Sequence, residues 1–353
     1  MRQLFQALTD LPHRGSATAL EARAAEVLEA YLEGRGHKVE AQPFKAPRSY
    51  GPELILISFL LALGGLLAWW PLGLLGSYGF WAYFSGQGPF WSRFFDRYAS
   101  QNLLVRAGFG PRTLVLMAHY DTAKTFFLYH PRRVRGFRQN FLFNAALALG
   151  TPLLSLAAPG GGRLVGLYFL AQAAVLIHRE LTAPYVNGAN DNASGVAVAV
   201  ELFERLARAP SGWQILLALT GSEEVGAKGA MHLARSGLIP QDALVLNFDN
   251  LGKGELCYAA GEGMLAYRPY VGALVEQARR TPGARAVAYR LAYFDTRPFA
   301  AGGYSCLTLI RLQDGLPPHW HWSSDTPQHV DPSALEGALE YAQTLLQALG
   351  VPG

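Results

Sequence analysis

The sequence predicts an α/β protein whose mixed central sheet is flanked by helices and interrupted by two apolar helical hairpins. Two observations lead to this fold class. Short apolar runs, typical of buried strands, each end in an acidic residue or a histidine, and amphipathic segments of helical length lie between them. Two further blocks, residues 52–92 and 137–180, are apolar over much longer stretches and contain few charged residues.

The other elements follow from periodicity and from turn residues. Residues 16–33 form an amphipathic helix that Gly34 closes, and a strand is expected at residues 37–44. Another strand is expected at residues 102–107, and the last amphipathic helix covers residues 332–349. The length of 353 residues suits one large α/β domain that carries insertions.

Composition narrows the class of protein. The net charge is +4, and the chain has no basic helix, aromatic RNA motif or lysine-rich tail, so nucleic acid is not an expected partner. The two cysteines, Cys257 and Cys306, lie far apart and form neither a Cys-x-x-Cys pair nor a disulfide framework. A reducing compartment fits this pattern, and an oxidising one is also compatible with it.

The two apolar blocks are expected to cross a membrane. In the first block, residues 54–70 are long enough for a span, Pro71 breaks the segment, and residues 72–84 form a shorter second leg. In the second block, residues 140–158 and 163–178 form two legs around a Pro-Gly turn. Helices in the core of a soluble domain usually keep a polar stripe, whereas these four segments are apolar all round. Hairpins that lie in one leaflet without crossing it are the alternative.

Polar side chains follow three of the apolar strands at the point where each strand ends. His119 and Asp121 follow the run LVLM, Glu223 and Glu224 follow a second run, and Asp249 follows a third. Because the carboxyl ends of the strands in an open α/β sheet form its ligand crevice, these side chains are expected to converge on one edge. Imidazole and carboxylate are good zinc ligands, so the pattern predicts a metal site.

Two other stretches add candidate ligands. Asp191 lies in the turn NGANDNASG just ahead of an amphipathic helix, and His319, His321 and His329 lie near the C-terminus. Each residue alone has a simpler explanation, because Asp191 could be a helix N-cap and His321 a surface histidine. Their combination and their order along the chain favour the metal site.

In chain order the motifs are His-x-Asp, Asp-Asn-x-Ser-Gly, Glu-Glu-x-Gly, an Asp after a strand, and His-x-x-x-Asp-Thr. This order resembles the co-catalytic di-zinc exopeptidases of metallopeptidase family 28, such as bacterial leucyl aminopeptidases and glutamate carboxypeptidases. The resemblance covers about residues 1–51, 93–130 and 181–353, and the stretch AYFDTRPFAAGGYSCLTL adds to it. The domains that it implies are a catalytic zinc-peptidase domain at residues 1–51, 93–136 and 181–353, hairpin 1 at residues 52–92, and hairpin 2 at residues 137–180.

The resemblance implies five ligands for two zinc ions. One zinc ion would take His119 and Asp249, and the other would take Glu224 and His321. Asp191 would bridge both ions through its two carboxylate oxygens. In this family the peptide bond after the bridging Asp is often cis, which implies a strained cis bond after Asp191.

The resemblance also assigns roles to two residues beside the ligands. Glu223 would be the general base that takes a proton from water and passes it to the leaving amine. Asp121 would orient the imidazole of His119. His321 is preferred to His319 as the ligand because the spacing His-x-x-x-Asp-Thr fits His321. Since all five ligand positions are filled, a metal-free relative and the single-zinc glutaminyl cyclases are both disfavoured.

The expected function is a membrane-integrated di-zinc metallohydrolase that cleaves a terminal peptide or amide bond, by default as an aminopeptidase. One alternative is an amidohydrolase of N-acyl amino acids or other lipid amides, and another is an inactive membrane-anchored metal-binding scaffold. The expected partners are the lipid bilayer and a peptide or amphiphilic amide substrate. The sequence leaves the identity of the substrate, the physiological metal and the oligomeric state open.

Basic residues set the expected orientation in the membrane. They cluster at the bases of the two hairpins, whereas the opposite turns carry only Arg163. The positive-inside rule therefore places the catalytic domain in the cytoplasm, on an inner membrane, with its site near the bilayer surface. The basic residues at the bases are Lys45, Arg48, Arg93, Arg97, Arg132, Arg133, Arg135, Arg138 and Arg179.

Overall fold

The computed structural model describes residues 1–208 and 212–352. The helices in these ranges are α1 (Arg2–Thr9), α2 (Ala19–Glu33), α3 (Gly51–Leu66), α4 (Trp70–Phe84), α5 (Phe137–Ala157), α6 (Pro159–Thr182), α7 (Gly195–Ala207), α8 (Lys228–Arg235), α9 (Ala273–Ala278), α10 (Arg297–Ala301) and α11 (Pro332–Ala348). The strands are β1 (Val39–Ala46), β2 (Tyr98–Ala107), β3 (Arg112–His119), β4 (Trp213–Thr220), β5 (Leu244–Phe248), β6 (Glu255–Glu262), β7 (Arg268–Pro269), β8 (Arg285–Tyr289) and β9 (Ser305–Leu312).

All these strands belong to one mixed sheet with the order β1-β2-β4-β3-β5-β9-β6-β7, and β8 pairs with β6. Strands β4, β3, β5 and β9 are parallel to one another and form its centre. Strands β1 and β2 are antiparallel at one side, and β6 is antiparallel to β9 at the other. The predicted fold class, a mixed central sheet flanked by helices, is therefore confirmed.

The centre of the sheet is buried on both faces, which explains the unbroken apolar runs in the sequence. In β3, every residue from Thr113 to His119 is buried. Helix α7 packs on β3 and β4, and α11 packs on α7 in turn. Strands that are covered on both faces read as continuous apolar segments rather than as alternating ones.

The two hairpins, α3–α4 and α5–α6, pack against each other and form a second apolar core. This core contains Ile57, Leu61, Phe80, Phe141 and Phe169, all of them buried. It is separate from the core that surrounds the sheet. Residues 52–92 and 137–180, which are distant in sequence, thus form one helical unit.

The ends of the hairpin helices differ from the sequence prediction. Helix α3 ends at Leu66, and Pro71 lies in the first turn of α4 rather than between the two legs. Pro159 likewise begins α6 instead of forming a loop. Proline is compatible with the first turn because the backbone N–H groups there have no partner within the helix.

Two of the four predicted legs have the length and composition of membrane spans. They are the segments Val134–Ala157 and Pro159–Thr182, each of 24 residues. Helices α3 and α4 have 16 and 15 residues. At 1.5 Å per residue they are about 24 and 22 Å long, which is shorter than the roughly 30 Å hydrocarbon core of a bilayer.

Small residues bring α3 and α6 into close contact. A Cβ atom placed on Gly65 would lie 2.4 Å from the carbonyl oxygen of Gly162, and one placed on Gly166 would lie 2.8 Å from that of Ala62. In addition, the hydroxyl of Ser155 in α5 donates a hydrogen bond to the Gly64 carbonyl in α3 at 3.1 Å. Glycine contacts and interhelical serine hydrogen bonds of this kind are typical of helices that associate within membranes.

Candidate active site

The sheet brings three groups of predicted site residues to one edge. His119 is the last residue of β3, Glu223 and Glu224 follow β4 after a short turn, and Asp249 directly follows β5. Since β3 is hydrogen-bonded to both β4 and β5 in parallel, the carboxyl ends of the three strands lie side by side. This is the convergence that the strand-end pattern predicts.

Two loops supply the other residues of the cluster. Asp191 lies just before α7, and its peptide bond to Asn192 is cis, as the family resemblance implies. The carboxylate of Asp325 accepts hydrogen bonds from the backbone N–H groups of Asn190 at 2.6 Å and of Asp191 at 3.0 Å. His321 precedes Asp325 in the same loop, so this loop both positions Asp191 and places an imidazole beside it.

The side chains form two groups of three that share Asp191. His119 Nε2 lies 3.3 Å from Asp191 Oδ1 and 3.9 Å from Asp249 Oδ1. His321 Nε2 lies 3.2 Å from Asp191 Oδ2 and 2.9 Å from Glu224 Oε2. Each oxygen of Asp191 therefore faces a different imidazole, and each imidazole has a further carboxylate beside it.

This arrangement fits a pair of metal ions. Donor atoms that are held about 2.0 Å from a tetrahedral zinc ion are separated by roughly 3.3 Å, close to the spacings within both groups. The cluster is buried, and Glu224 Oε1 has no hydrogen-bond partner among the described residues. A buried carboxylate oxygen without a partner costs free energy unless a cation binds to it.

Asp121 contacts both the Glu223-Glu224 backbone and the imidazole of His119. Its Oδ1 accepts a hydrogen bond from the N–H of Glu223 at 2.8 Å, and its Oδ2 accepts one from the N–H of Glu224 at 3.2 Å. Its Oδ1 also lies 3.5 Å from Nδ1 of His119. The fully buried Asp121 therefore holds the end of β3 in register with the Glu-Glu turn after β4.

The electrostatics of the cluster are dominated by carboxylates. Burial raises the pKa of Glu224 to about 7 and the pKa of Glu223 well above its usual range. At Asp191, hydrogen bonds with the two imidazoles outweigh burial and hold the pKa below its ordinary value. Burial alone would lower the pKa of His321, but the Glu224 carboxylate beside it raises that pKa to about 10. Two divalent cations would neutralise this excess of negative charge.

Arg14 connects two backbone segments that carry ligands of the cluster, a role that the sequence analysis did not predict. Its guanidinium is fully buried and donates hydrogen bonds to the backbone carbonyls of Tyr120 at 2.7 Å and Gly188 at 2.8 Å. These contacts tie the end of β3 to the loop that carries Asp191. Burial lowers the pKa of Arg14 to about 10, which leaves it charged at neutral pH. A single Arg in the stretch LPHRG carries no sequence signal for this role.

The other two C-terminal histidines lie outside the two groups that share Asp191. His319 Nδ1 lies 2.8 Å from the hydroxyl of Ser324, and the ring of His319 lies 4.4 Å from that of His329. Of the three C-terminal histidines, the structure therefore places His321 beside Asp191 and Glu224.

The tryptophans that flank His321 contact the base of hairpin 2. The ring of Trp320 lies 4.9 Å from Tyr129 and 5.1 Å from Phe137, and Trp322 lies 5.1 Å from His130. Tyr129 also packs against His321, with ring centroids 4.6 Å apart. The loop that carries His321 is thus attached to the segment that leads into α5, which explains why tryptophans occur at these positions.

A cavity of about 980 Å³ extends from the cluster into the hairpin unit. Glu223, Glu224 and His321 line one part of it, and side chains from α3 to α6 line another. Its volume is at the upper end of the roughly 300–1,000 Å³ that is typical of small-molecule sites. The cavity therefore connects the candidate metal ligands with the space between the apolar helices.

The protein has the fold of a zinc aminopeptidase-like hydrolase. Its mixed sheet carries paired imidazole and carboxylate groups at the carboxyl edge of the parallel strands. The chain belongs to peptidase family M28, whose family model matches residues 102–346. No curated protein sequence matches the chain. Family membership implies zinc as the metal, in agreement with the donor set.

Solved structures show the same fold at low sequence identity. A zinc aminopeptidase from Bacillus subtilis is 14% identical, with a TM-score of 0.59, and the match covers 99% of this chain and 94% of that one. A glutaminyl cyclase from Porphyromonas gingivalis is 15% identical, with a TM-score of 0.56 and coverage of 98% and 96%. An aminopeptidase from Legionella pneumophila is 12% identical, with a TM-score of 0.57 and coverage of 100% and 70%.

Proposed function

We propose that the protein is a membrane-integrated hydrolase that cleaves a terminal peptide or amide bond with two zinc ions. The observation that carries this proposal is the pair of donor groups that share Asp191. His119 and Asp249 would hold one ion, and Glu224 and His321 would hold the other. When bound, the ions would polarise the scissile carbonyl and lower the pKa of the attacking water.

Glu223 is the proposed general base. Its carboxylate lies within 4.8 Å of donor atoms of His119 and Glu224, and it lines the cavity rather than joining the groups around Asp191. In this position it accepts the proton of the attacking water and returns that proton to the leaving amine. Burial raises the pKa of Glu223 above its usual range, and bound zinc ions would lower that pKa again, so that the ionised carboxylate could take up the proton of water.

Asp121 is the proposed positioning residue. It accepts hydrogen bonds from the backbone N–H groups of both Glu223 and Glu224, and it lies beside the Nδ1 atom of His119. The same carboxylate would therefore orient the imidazole of His119 and fix the backbone position of Glu223. An inactive scaffold would not need Glu223, so the presence of that residue in this position supports an enzyme.

A hydrolase and a glutaminyl cyclase can be separated by their products, and both occur among proteins with this fold. We expect chelator-treated protein to be inactive and zinc-reloaded protein to release the amine from peptides or from N-acyl amino acids. Protein to which no metal is returned after chelation is the control. Cyclisation of peptides with an N-terminal glutamine, without hydrolysis of any amide offered, would contradict the proposal.

Two observations support the location in a membrane. The outer surfaces of the hairpins expose large apolar side chains, which soluble proteins rarely expose as one extended patch. Helices α5 and α6 are long enough to span a bilayer. The most exposed apolar side chains of the hairpins include Leu67, Trp69, Leu74, Leu153, Leu156 and Leu164.

We further propose that residues 1–51, 93–136 and 181–353 form the catalytic domain on the cytoplasmic side of an inner membrane. Arg132, Arg133 and Arg135 are exposed at the base of hairpin 2 and could face anionic headgroups. Arg179, by contrast, is buried and forms an ion pair with Glu180 at 2.6 Å, so its guanidinium does not face the lipid headgroups.

Reporter fusions test this topology. Fusions after Gly110 and at the C-terminus should give cytoplasmic signals, and a fusion within residues 160–162 should give an external one, because each hairpin returns the chain to the side that it left. An external signal after Gly110 would contradict the proposed topology. Cytoplasmic signals at all three sites would mean that hairpin 2 does not cross the bilayer.

The cavity favours one candidate function beside a general aminopeptidase. Its apolar part lies between helices that we place in the bilayer, and its polar part contains Glu223, Glu224 and His321. A soluble peptide would leave the apolar part empty. An amphiphilic amide, such as an N-acyl amino acid or another lipid amide, would fill both parts.

A further inference from the structure

A buried arginine in the wall of the same cavity has no role in the proposed chemistry. Arg297 begins α10 and is only 9% exposed. Its Nη2 atom donates a hydrogen bond to the Ser85 carbonyl just after α4, whereas its Nε and Nη1 atoms have no hydrogen-bond partner among the described residues. A buried guanidinium with two unused donors is costly unless an anion reaches it.

No described group near Arg297 uses its Nε and Nη1 donors, which are buried beside Gly86 of the loop that follows α4. Glu262 is the neighbouring buried carboxylate, but it accepts hydrogen bonds from the Tyr270 hydroxyl at 2.7 Å, the Phe294 N–H at 2.6 Å and the Thr296 hydroxyl at 3.1 Å. The Tyr293 ring lies under the guanidinium, with its centroid 4.9 Å from Cζ. A planar guanidinium supported on one face presents its N–H groups at the edge, where they suit a carboxylate.

The other end of the cavity is apolar and reaches the surface of the hairpin unit. Ile57, Phe80, Phe141 and Leu176 contribute to its wall. Val175 of α6 also lines it and is exposed on the face that we place toward lipid. An acyl chain could therefore enter from the bilayer and lie between the helices while its polar end reaches the metal ligands.

We propose that the substrate is a long-chain N-acyl amino acid. Its acyl chain lies among α3 to α6, its amide lies at the cluster around Asp191, and its free carboxylate binds Arg297. The reaction rests on the proposed hydrolase function. Water adds to the amide carbonyl, the C–N bond breaks, and a fatty acid carboxylate and a free amino acid leave, with the proton of the water passed through Glu223 to the amine.

The carboxylate contact is tested with N-hexadecanoylglycine and its methyl ester, presented to the zinc-loaded protein in nanodiscs. We expect the wild type to prefer the acid in kcat/KM by about 10–100-fold, the effect of losing a charged hydrogen-bonded pair. Arg297→Gln should abolish this preference, and Arg297→Lys should restore part of it, since lysine keeps the charge without the planar fork. Arg280→Gln removes an exposed positive charge outside the cavity and serves as the matched control.

The acyl-chain contact is tested by filling the cavity from α6. Ala171 and Ala174 are both exposed on this helix, but only Ala171 lines the cavity. We expect Ala171→Trp to lower the ratio of kcat/KM for N-hexadecanoylglycine over N-butanoylglycine at least tenfold. Ala174→Trp should leave that ratio unchanged, because Ala174 does not line the cavity.

A binding measurement separates this inference from the proposed function. In chelator-treated protein, N-hexadecanoylglycine should bind at least tenfold more tightly than its methyl ester, and Arg297→Gln should remove the difference. Hydrolysis of short peptides by a wild type that shows no preference for the acid, in binding or in turnover, would overturn the inference and leave the hydrolase intact. Preferential binding of the acid without hydrolysis of any amide would support the inference and overturn the hydrolase.

Discussion

Replacement of Glu223 by glutamine is expected to leave two zinc ions bound and to lower turnover by roughly 10²–10⁴-fold, as is typical when a general acid–base group is removed. Glutamine has nearly the shape of glutamate but cannot take a proton from water. The backbone N–H of residue 223 would still donate to Asp121, so the turn after β4 should keep its geometry. Metal analysis and steady-state kinetics on the same preparation measure both parts of this expectation.

The adjacent residue offers a matched control. Glu224→Gln introduces the same chemical change one position along the chain, in a residue whose carboxylate lies 2.9 Å from His321. We expect this variant to lose zinc as well as activity, because Glu224 is a proposed ligand. Near-normal turnover in a metal-replete Glu223→Gln protein would remove Glu223 from the role of base.

Asp191→Asn is expected to lower zinc binding from two ions to fewer than one per chain and to abolish hydrolysis. Asp191 is the residue common to both donor groups, with one oxygen toward His119 and the other toward His321. Asparagine offers one neutral oxygen in place of two charged ones, so two dications would repel each other without the anion between them. Zinc content by mass spectrometry, with circular dichroism to verify folding, measures this effect.

Variants of the single-group ligands provide the comparison for Asp191. His119→Ala and His321→Ala should each weaken mainly one ion, whereas Asp191→Asn should weaken both together. Asp242→Asn, which changes an exposed aspartate away from the cluster, should retain both ions. A folded Asp191→Asn protein that still bound two zinc ions would contradict the bridging role.

The residues at the strand ends could be predicted because their signal is local. In β3, β4 and β5, an apolar run stops and a histidine or acid follows, and parallel pairing then places these ends together. Asp191 and His321 lie on loops, where periodicity gives no information. Only the spacing of the motifs, which resembles that of a known family, indicates these two residues.

Other features depend on tertiary contacts that no local pattern encodes. Arg14 acts through carbonyls more than a hundred positions away in the sequence. Arg297 lies within the stretch AYFDTRPFAAGGYSCLTL, yet its contact with the Ser85 carbonyl depends on the docking of hairpin 1. The ends of α3 and α4 differ from the prediction because proline, which breaks the interior of a helix, also fits its first turn, where Pro71 lies.

Anomalous diffraction at the zinc absorption edge, from crystals of the full chain, tests the central claim most directly. The account predicts two anomalous peaks of comparable height on either side of the Asp191 carboxylate, one beside His119 and Asp249 and the other beside Glu224 and His321. A single peak in crystals of fully active, zinc-replete protein would contradict the shared two-ion site.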